Sequence, residues 1–331
     1  MARARIVGTG AYAPAEVVTN EDLSRRLAEL GIETSDDWIR TRTGIEQRRF
    51  ARLDEQTSDM AVEASKRALE MADISPSQLD LIVMGTISGD MGMPACATFV
   101  QRKLGATCPA FDVSAACAGS LYGLSVADAF IRAGNAKNVL VIGAELLSRL
   151  LDWEDRNTCV LFGDAAGAML LRAESDDAYG VLHTTLGSDG TQTDILKIPG
   201  AGSIYPMNDP KSDRKLGFVH MNGREVFKFA VRTLTQTMQD TLRAASVAPE
   251  ELDWVVPHQA NIRIVNTVVE RLAVPEEKLI LNIDRFGNTS SASVPITLDE
   301  GVRSGKIQPG HLVGMMAIGS GMSWGSAIIR W

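Results

Sequence analysis

The chain has 331 residues, 45% of them apolar and 22% charged, with mean hydropathy near zero. That is enough for one large domain or two of ordinary size. No apolar run reaches the roughly 18 residues a membrane span needs, and MARARIVGTGAYAP is too weakly apolar before Pro14 for a secretion signal. The formal charge of −8 argues against general nucleic-acid binding, so any anionic partner must meet a local cluster of Arg and Lys.

In chain order, residues 6–10 read as an opening strand and turn. Gly8 and Gly10 suggest a dinucleotide loop, but a third glycine is missing and Pro14 stands where a helix should begin. Asn20 is placed to cap a short helix. A polar, basic stretch with one tryptophan, Trp38, occupies 34–45, and 57–71 is an amphipathic helix. Residues 79–85 form a buried strand. Next, the apolar run 110–113 leads into small residues 114–120 around Cys117, and Leu121, Leu124, Ala127 and Ile131 recur at helical spacing. Cys117 therefore sits at a strand-to-helix turn, where helix-end N–H groups favour a thiolate. The alternative is a buried structural thiol. Cys96, Cys108, Cys117 and Cys159 lack metal-ligand spacing and read as reduced thiols of a cytoplasmic protein. Apolar strands follow at 139–143 and 165–171.

The second half repeats this order. A long amphipathic helix, 225–245, leads into Leu252-Asp253-Trp254-Val255-Val256-Pro257, which resembles 79–84 at an offset of 173 residues (252 − 79). The strand at 312–316 echoes that at 139–143 at the same offset (312 − 139). A duplicated α/β half is indicated, with boundaries near 1–175 and 176–331. Strands apolar throughout predict largely parallel sheets covered on both faces, and a site where the halves meet.

Four histidines are present. His183, His220 and His311 occupy ordinary edge or surface positions. His258 ends an apolar strand, where parallel sheets line their ligand crevices, or caps the helix that follows. Residues 283–293 read as another strand running into a small-residue turn; there Asn288 offers an amide donor to an oxygen gaining charge, or is simply a turn residue. The glycine-rich turn at 317–325 can aim backbone N–H groups at an oxyanion or equally at a phosphate, although no Lys follows as in a P-loop.

Cys117 in DVSAACAG, His258 in VPHQANIRI, Asn288 in DRFGNTSSAS, the ending GSGMSWGSAIIRW, TSDDWIRTRTGI at 34–45 and FGDAAGA at 162–168 together resemble β-ketoacyl-acyl-carrier-protein synthase III, of the thiolase superfamily. The resemblance covers essentially the whole chain. It implies a thiolase-like fold of two similar α/β halves in α-β-α-β-α layers, usually a homodimer. It implies decarboxylative condensation of an acyl-CoA primer with malonyl-acyl carrier protein, through an acyl-Cys117 intermediate and with no metal or cofactor, initiating fatty acid or polyketide synthesis. Cys117, His258 and Asn288 would be catalytic, and the N–H groups of Cys117 and Ser320 would form the oxyanion hole. Trp38, Arg42, Arg156, Met221, Gly223, Phe227 and Asn261 would bind CoA. Gln259, Ala260, Asn261, Ile262 and Arg263 would meet the carrier protein, with Arg224 and Lys228 extending that patch or merely solvated. Three positions depart from the family's habit. Ser320 stands where glycine is frequent, and so does Asn157. Met93 falls where the family often places the residue that reaches across the dimer to close the acyl pocket, and an adaptable methionine there predicts room for primers longer than acetyl. A rival reading is a relative that moves an acyl group to a non-malonyl acceptor in secondary metabolism; such relatives tend to alter the His–Asn pair. A non-catalytic subunit is disfavoured by the presence of Cys117.

Overall fold

β1 (Arg3–Tyr12) opens the computed structural model, which describes residues 2–176, 178–206 and 213–331. Behind it come β2 (Glu16–Thr19), α1 (Asn20–Glu29), α2 (Asp36–Thr43), β3 (Gln47–Phe50), α3 (Thr57–Ala72), β4 (Leu81–Gly85), α4 (Cys96–Leu104) and β5 (Ala110–Val113). A 3-10 turn, Ala116–Ala118, then feeds α5 (Gly119–Arg132), followed by β6 (Asn138–Glu145), α6 (Arg156–Cys159) and β7 (Ala165–Glu174). The second half holds β8 (Gly180–Ser188), β9 (Leu196–Lys197), β10 (His220–Met221), α7 (Gly223–Ala245), β11 (Trp254–Pro257), α8 (Ile262–Arg271) and α9 (Ile283–Phe286). A matching 3-10 turn, Ser290–Ala292, feeds α10 (Ser293–Arg303), β12 (Leu312–Gly319) and β13 (Ser323–Arg330).

Two sheets carry the repeat. One runs β1-β7-β6-β4-β5 and the other β8-β13-β12-β11, so corresponding strands take corresponding places. Helices α3 and α4 cover the outer face of the first sheet, and α7, with α8 against it, covers that of the second. Helices α5 and α10 lie between the sheets and bury apolar residues against both, among them Leu121, Leu124, Val294 and Leu298. The layering is therefore α-β-α-β-α. Buried on both faces, the central strands β4 and β12 are fully enclosed along their length, which is why neither alternates polar with apolar.

Three sequence expectations are corrected. The sheets are mixed, not largely parallel: β4 pairs β5 and β6 in parallel and β11 pairs β12 in parallel, but the other neighbours are antiparallel. The short turn between β12 and β13 can only return the chain antiparallel. Thr19, not Asn20, caps α1, in a reciprocal box with Asp22; Asn20 is buried and accepts from Arg48 Nη1 at 2.8 Å. No strand precedes Asn288. The segment forms the single helical turn α9, and Asn288 is tied to the first half instead, donating its N–H to Leu161 O (2.8 Å) and accepting from Gly163 N–H (3.0 Å). Gly8 and Gly10 serve helix packing: a Cβ on either would lie 2.1 Å from a carbonyl oxygen of α3.

Candidate active site

Cys117 lies where the end of β5 breaks into the 3-10 turn ahead of α5. The turn is sharp enough that Ala116 takes φ +45°, and 174 residues on (290 − 116) Ser290 takes φ +50° at the same place in the second copy. The two small-residue turns meet in the centre of the molecule. The thiol is buried, and burial pushes its pKa up to about 12. Helix-end N–H groups must therefore act together with a proton acceptor to produce a thiolate.

His258 follows β11, held by its N–H donating to Met316 O at 2.7 Å on the neighbouring strand. Its ring is buried and neither nitrogen has a protein partner. Burial lowers its pKa to about 4, so the imidazole is neutral at pH 7 and keeps one N–H to donate. Asn288 is fixed by its Oδ1, which accepts the Ser290 N–H at 2.9 Å. That contact leaves the amide Nδ2, the donor end, for a ligand. Cys117, His258 and Asn288 line one narrow cavity of about 120 Å³, walled by Leu161, Phe162, Phe227 and Met322.

This cavity opens outward into a broad mouth of about 930 Å³, and the two share Leu161, Met221, Gly223, Phe227 and Asn261. A Cβ on Gly223 would meet only Met221 Cε, at 3.6 Å, so a side chain there would project into the passage. The mouth is lined by Trp38, Arg42, Arg224, Lys228 and Arg263, with no carboxylate among its lining residues. On a chain of charge −8, this is the local basic cluster that the composition required of an anionic partner. Arg42 and Arg156 both lie over the Trp38 ring, at 4.8 and 4.4 Å from its centroid. Arg156 rests on Trp38 directly and is outside the mouth lining, so a planar base entering between them has to part the pair. Asn157, the other unusual position, does line the mouth.

On the far side of Cys117 an apolar cavity of about 430 Å³ is lined by Ile87, Leu147, Leu150, Phe162, Leu196 and Val219, with Ser290 and Ser320 beside the thiol. Strand β12 ends so close to the thiol turn that a Cβ on Gly319 would sit 2.5 Å from Cys117 N, which brings Ser320 alongside. The Ser320 hydroxyl, present where glycine is frequent, donates to Leu196 O and braces the turn. Met93 lines none of these cavities; it is 85% exposed on the segment that follows Ile87.

One predicted contact is overturned. Gln259 cannot face a carrier protein: it is fully buried, donating Nε2 to Thr297 Oγ1 (3.0 Å) and accepting at Oε1 from the N–H groups of Asn282 and Ile283 (2.8 Å each). Of its neighbours, Ala260 and Asn261 line the inner cavity, Ile262 packs on Gly44, and Arg263 is exposed at the mouth. Sequence reasoning also passed over Glu145 and Ser290, and the apolar residues of the inner cavity. Glu145 had one legible signal, a carboxylate closing an otherwise apolar strand; nothing in the spacing tied it to Cys117.

A five-layered duplicated fold, with cysteine, neutral histidine and asparagine at the end of a tunnel with a basic mouth, defines a condensing acyltransferase of the thiolase type. Family models for 3-oxoacyl-[acyl-carrier-protein] synthase III match residues 111–190 and its C-terminal part residues 242–331. The chain is 47% identical to the beta-ketoacyl-[acyl-carrier-protein] synthase III of Xanthomonas campestris pv. campestris, over 99% of this chain and 98% of that one. It superposes on the crystal structure of 3-oxoacyl-[acyl-carrier-protein] synthase III from Aquifex aeolicus VF5 with TM-score 0.90 and 45% identity, covering 99% and 100% of the two chains. It also matches the priming β-ketosynthase of the R1128 polyketide pathway, with TM-score 0.91, 35% identity and coverage of 99% and 96%. The chain belongs to the β-ketoacyl-acyl-carrier-protein synthase III family, the condensing enzymes that initiate fatty acid synthesis.

Proposed function

We propose that this chain joins an acyl-CoA primer to malonyl-acyl carrier protein through acyl-Cys117. The observation that carries the reading is the single inner cavity lined by Cys117, His258 and Asn288, continuous with a basic mouth. Acyl-CoA enters with its phosphates beside Arg42, its base at Trp38 and Arg156, and its pantetheine arm past Met221, Gly223, Phe227 and Asn261. The thiolate attacks the thioester carbonyl, the N–H groups of Cys117 and Ser320 hold the oxyanion, and CoA leaves. A cysteine thioester keeps the acyl group activated for the second step. Malonyl-carrier protein then enters, its acidic surface meeting Arg263 and Arg224. Loss of CO₂ leaves an enolate whose oxygen accepts from the His258 N–H and Asn288 Nδ2. The carbanion attacks acyl-Cys117 and releases 3-oxoacyl-carrier protein. No cofactor beyond the CoA of the substrate is called on.

Two chains would complete the acyl pocket. Strand β5 lies at a sheet edge, and Met91 and Met93 are exposed nearby; in a cytoplasmic homodimer paired along β5, Met93 would reach the partner's cavity. With about 430 Å³ beside the thiol, primers longer than acetyl fit. Turnover of acetyl-, butyryl- and octanoyl-CoA tests this, and a strict acetyl preference would sink it.

Transfer to a non-malonyl acceptor needs no enolate donors. The unpartnered His258 ring and the free Asn288 donor favour condensation over that alternative. His258→Ala should acylate normally yet lose condensation by on the order of 10²–10³-fold, the usual effect of removing one such donor. Mass spectrometry of the acyl-enzyme separates the two steps, and equal loss of both would mean that His258 has another role.

A further inference from the structure

Glu145 closes β6 with its side chain entirely enclosed, directly behind the nucleophile. Its Oε2 accepts from Ile87 N–H (3.1 Å), Thr86 Oγ1 (3.3 Å) and the Ser88 hydroxyl, while Oε1 accepts from Ser290 Oγ at 3.1 Å. No Lys or Arg among the described residues lies within ion-pair distance of it. Ser290 donates to this carboxylate and lines the same cavity as the Cys117 thiol, which it neighbours. The groups facing Glu145 are Cys117 from the turn before α5, Thr86, Ile87 and Ser88 beyond β4, and Ser290 and Ser291 from the turn before α10. Of these, Cys117 alone titrates.

A buried carboxylate without a counter-ion is costly unless its charge is used or neutralised. Here its negative charge opposes a thiolate at Cys117. Moving the thiol proton onto Glu145 removes that repulsion in the same event that creates the thiolate.

We infer that Glu145, acting through the Ser290 hydroxyl, takes the Cys117 proton when the enzyme is acylated. This rests on the reading of Cys117 as the acylated nucleophile. The Cys117 S–H proton passes to Ser290 Oγ while the Ser290 O–H proton passes to Glu145 Oε1, so the single negative charge moves from carboxylate to sulfur. The thiolate forms the new carbon–sulfur bond to the acyl carbonyl. The bond to CoA breaks with its electron pair on the CoA sulfur, which recovers the proton from Glu145 through Ser290. Glu145 is then a carboxylate again, and no proton has to reach solvent. Burial raises the Glu145 carboxyl to about 7, whereas the His258 ring is held to about 4. The carboxylate is the stronger base of the two, and His258 is left neutral for the second step.

The test follows acyl transfer from acetyl-CoA to Cys117 by rapid quench and mass spectrometry in wild type, E145Q, E145D and S290A. Acylation is expected to slow about 10²–10³-fold in E145Q and S290A and to recover partly in E145D, within the usual range for a proton-transfer group. The wild-type rate should climb with pH through about 7, and E145Q should lose that climb. Once E145Q has been acylated by long incubation, its condensation with malonyl-carrier protein should run within about threefold of wild type. Acylation at the wild-type rate in either E145Q or S290A overturns the proposal, as does equal loss in both half-reactions. If E145Q fails to fold, S290A alone carries the test. Absence of any adduct on wild-type Cys117 would instead overturn the reading of the nucleophile itself.

Discussion

His258 combines a strand-end backbone anchor with a buried ring whose nitrogens have no hydrogen-bond partner in the protein. Its folded pKa of about 4 lies below the ordinary value of 6.5. Between these values the unfolded chain binds a proton that the folded chain refuses, so stability falls as pH drops through the window and is fully restored above pH 6.5. The window corresponds to about 3 kcal/mol. Urea unfolding from pH 7 to 4 should therefore show a steeper loss in wild type than in His258→Asn, and parallel curves would mean that the ring is protonated or solvated in the fold. Gly223 gives a second test at the same scale. Gly223→Leu should leave the melting temperature within a few degrees, because the new side chain meets open space, while acylation by CoA thioesters falls at least about tenfold as the passage closes.

The paired turns ahead of α5 and α10 do the work of assembly. The turn before α5 packs against β12 and the turn before α10 against β6, and their meeting depends on a close backbone approach. A Cβ on Gly143, in β6, would lie 2.1 Å from Ser291 O. Gly143→Ala should therefore displace the 290–292 turn, costing about 1–3 kcal/mol of stability and lowering both acylation and condensation; chemical denaturation beside a turnover assay checks it. The mouth behaves as a unit of charge. Arg263→Glu should reduce kcat/KM for the carrier protein by about tenfold while acyl-CoA loading stays within about twofold, and the wild-type value should fall as salt rises. Loss of both substrates' kinetics together would place Arg263 in the CoA site instead.

Across the whole molecule, the two sheets and the helices between them bring Cys117, His258 and Asn288, residues 141 and 171 positions apart from the thiol (258 − 117 and 288 − 117), to one cavity. The duplicated order, the turn at Cys117 and the strand-end position of His258 were legible in the sequence because each is a local pattern: apolar periodicity, a run of small side chains, a strand boundary. The resemblance supplied the remaining named positions. Two misplaced residues show where local pattern stops. Gln259 stands next to a cavity-lining histidine, yet its side chain turns inward to hold Asn282, Ile283 and Thr297. Asn288 was expected after a strand and stands after a helical turn pinned to the opposite half.

The sequence by itself indicated two α/β halves, a small-residue strand-to-helix turn at Cys117 and the need for a local basic cluster, since these follow from residue type and spacing of nearby positions. Only the tertiary structure decided that the sheets are mixed, that Arg42, Arg224 and Arg263 share one mouth, and that Glu145 lies behind Cys117 with Ser290 neighbouring both. Those outcomes depend on side chains brought together across long chain separations and on which of them are cut off from water. Burial of that kind sets the neutral state of His258 and the basicity of Glu145, and it exists only once the two halves have closed on each other.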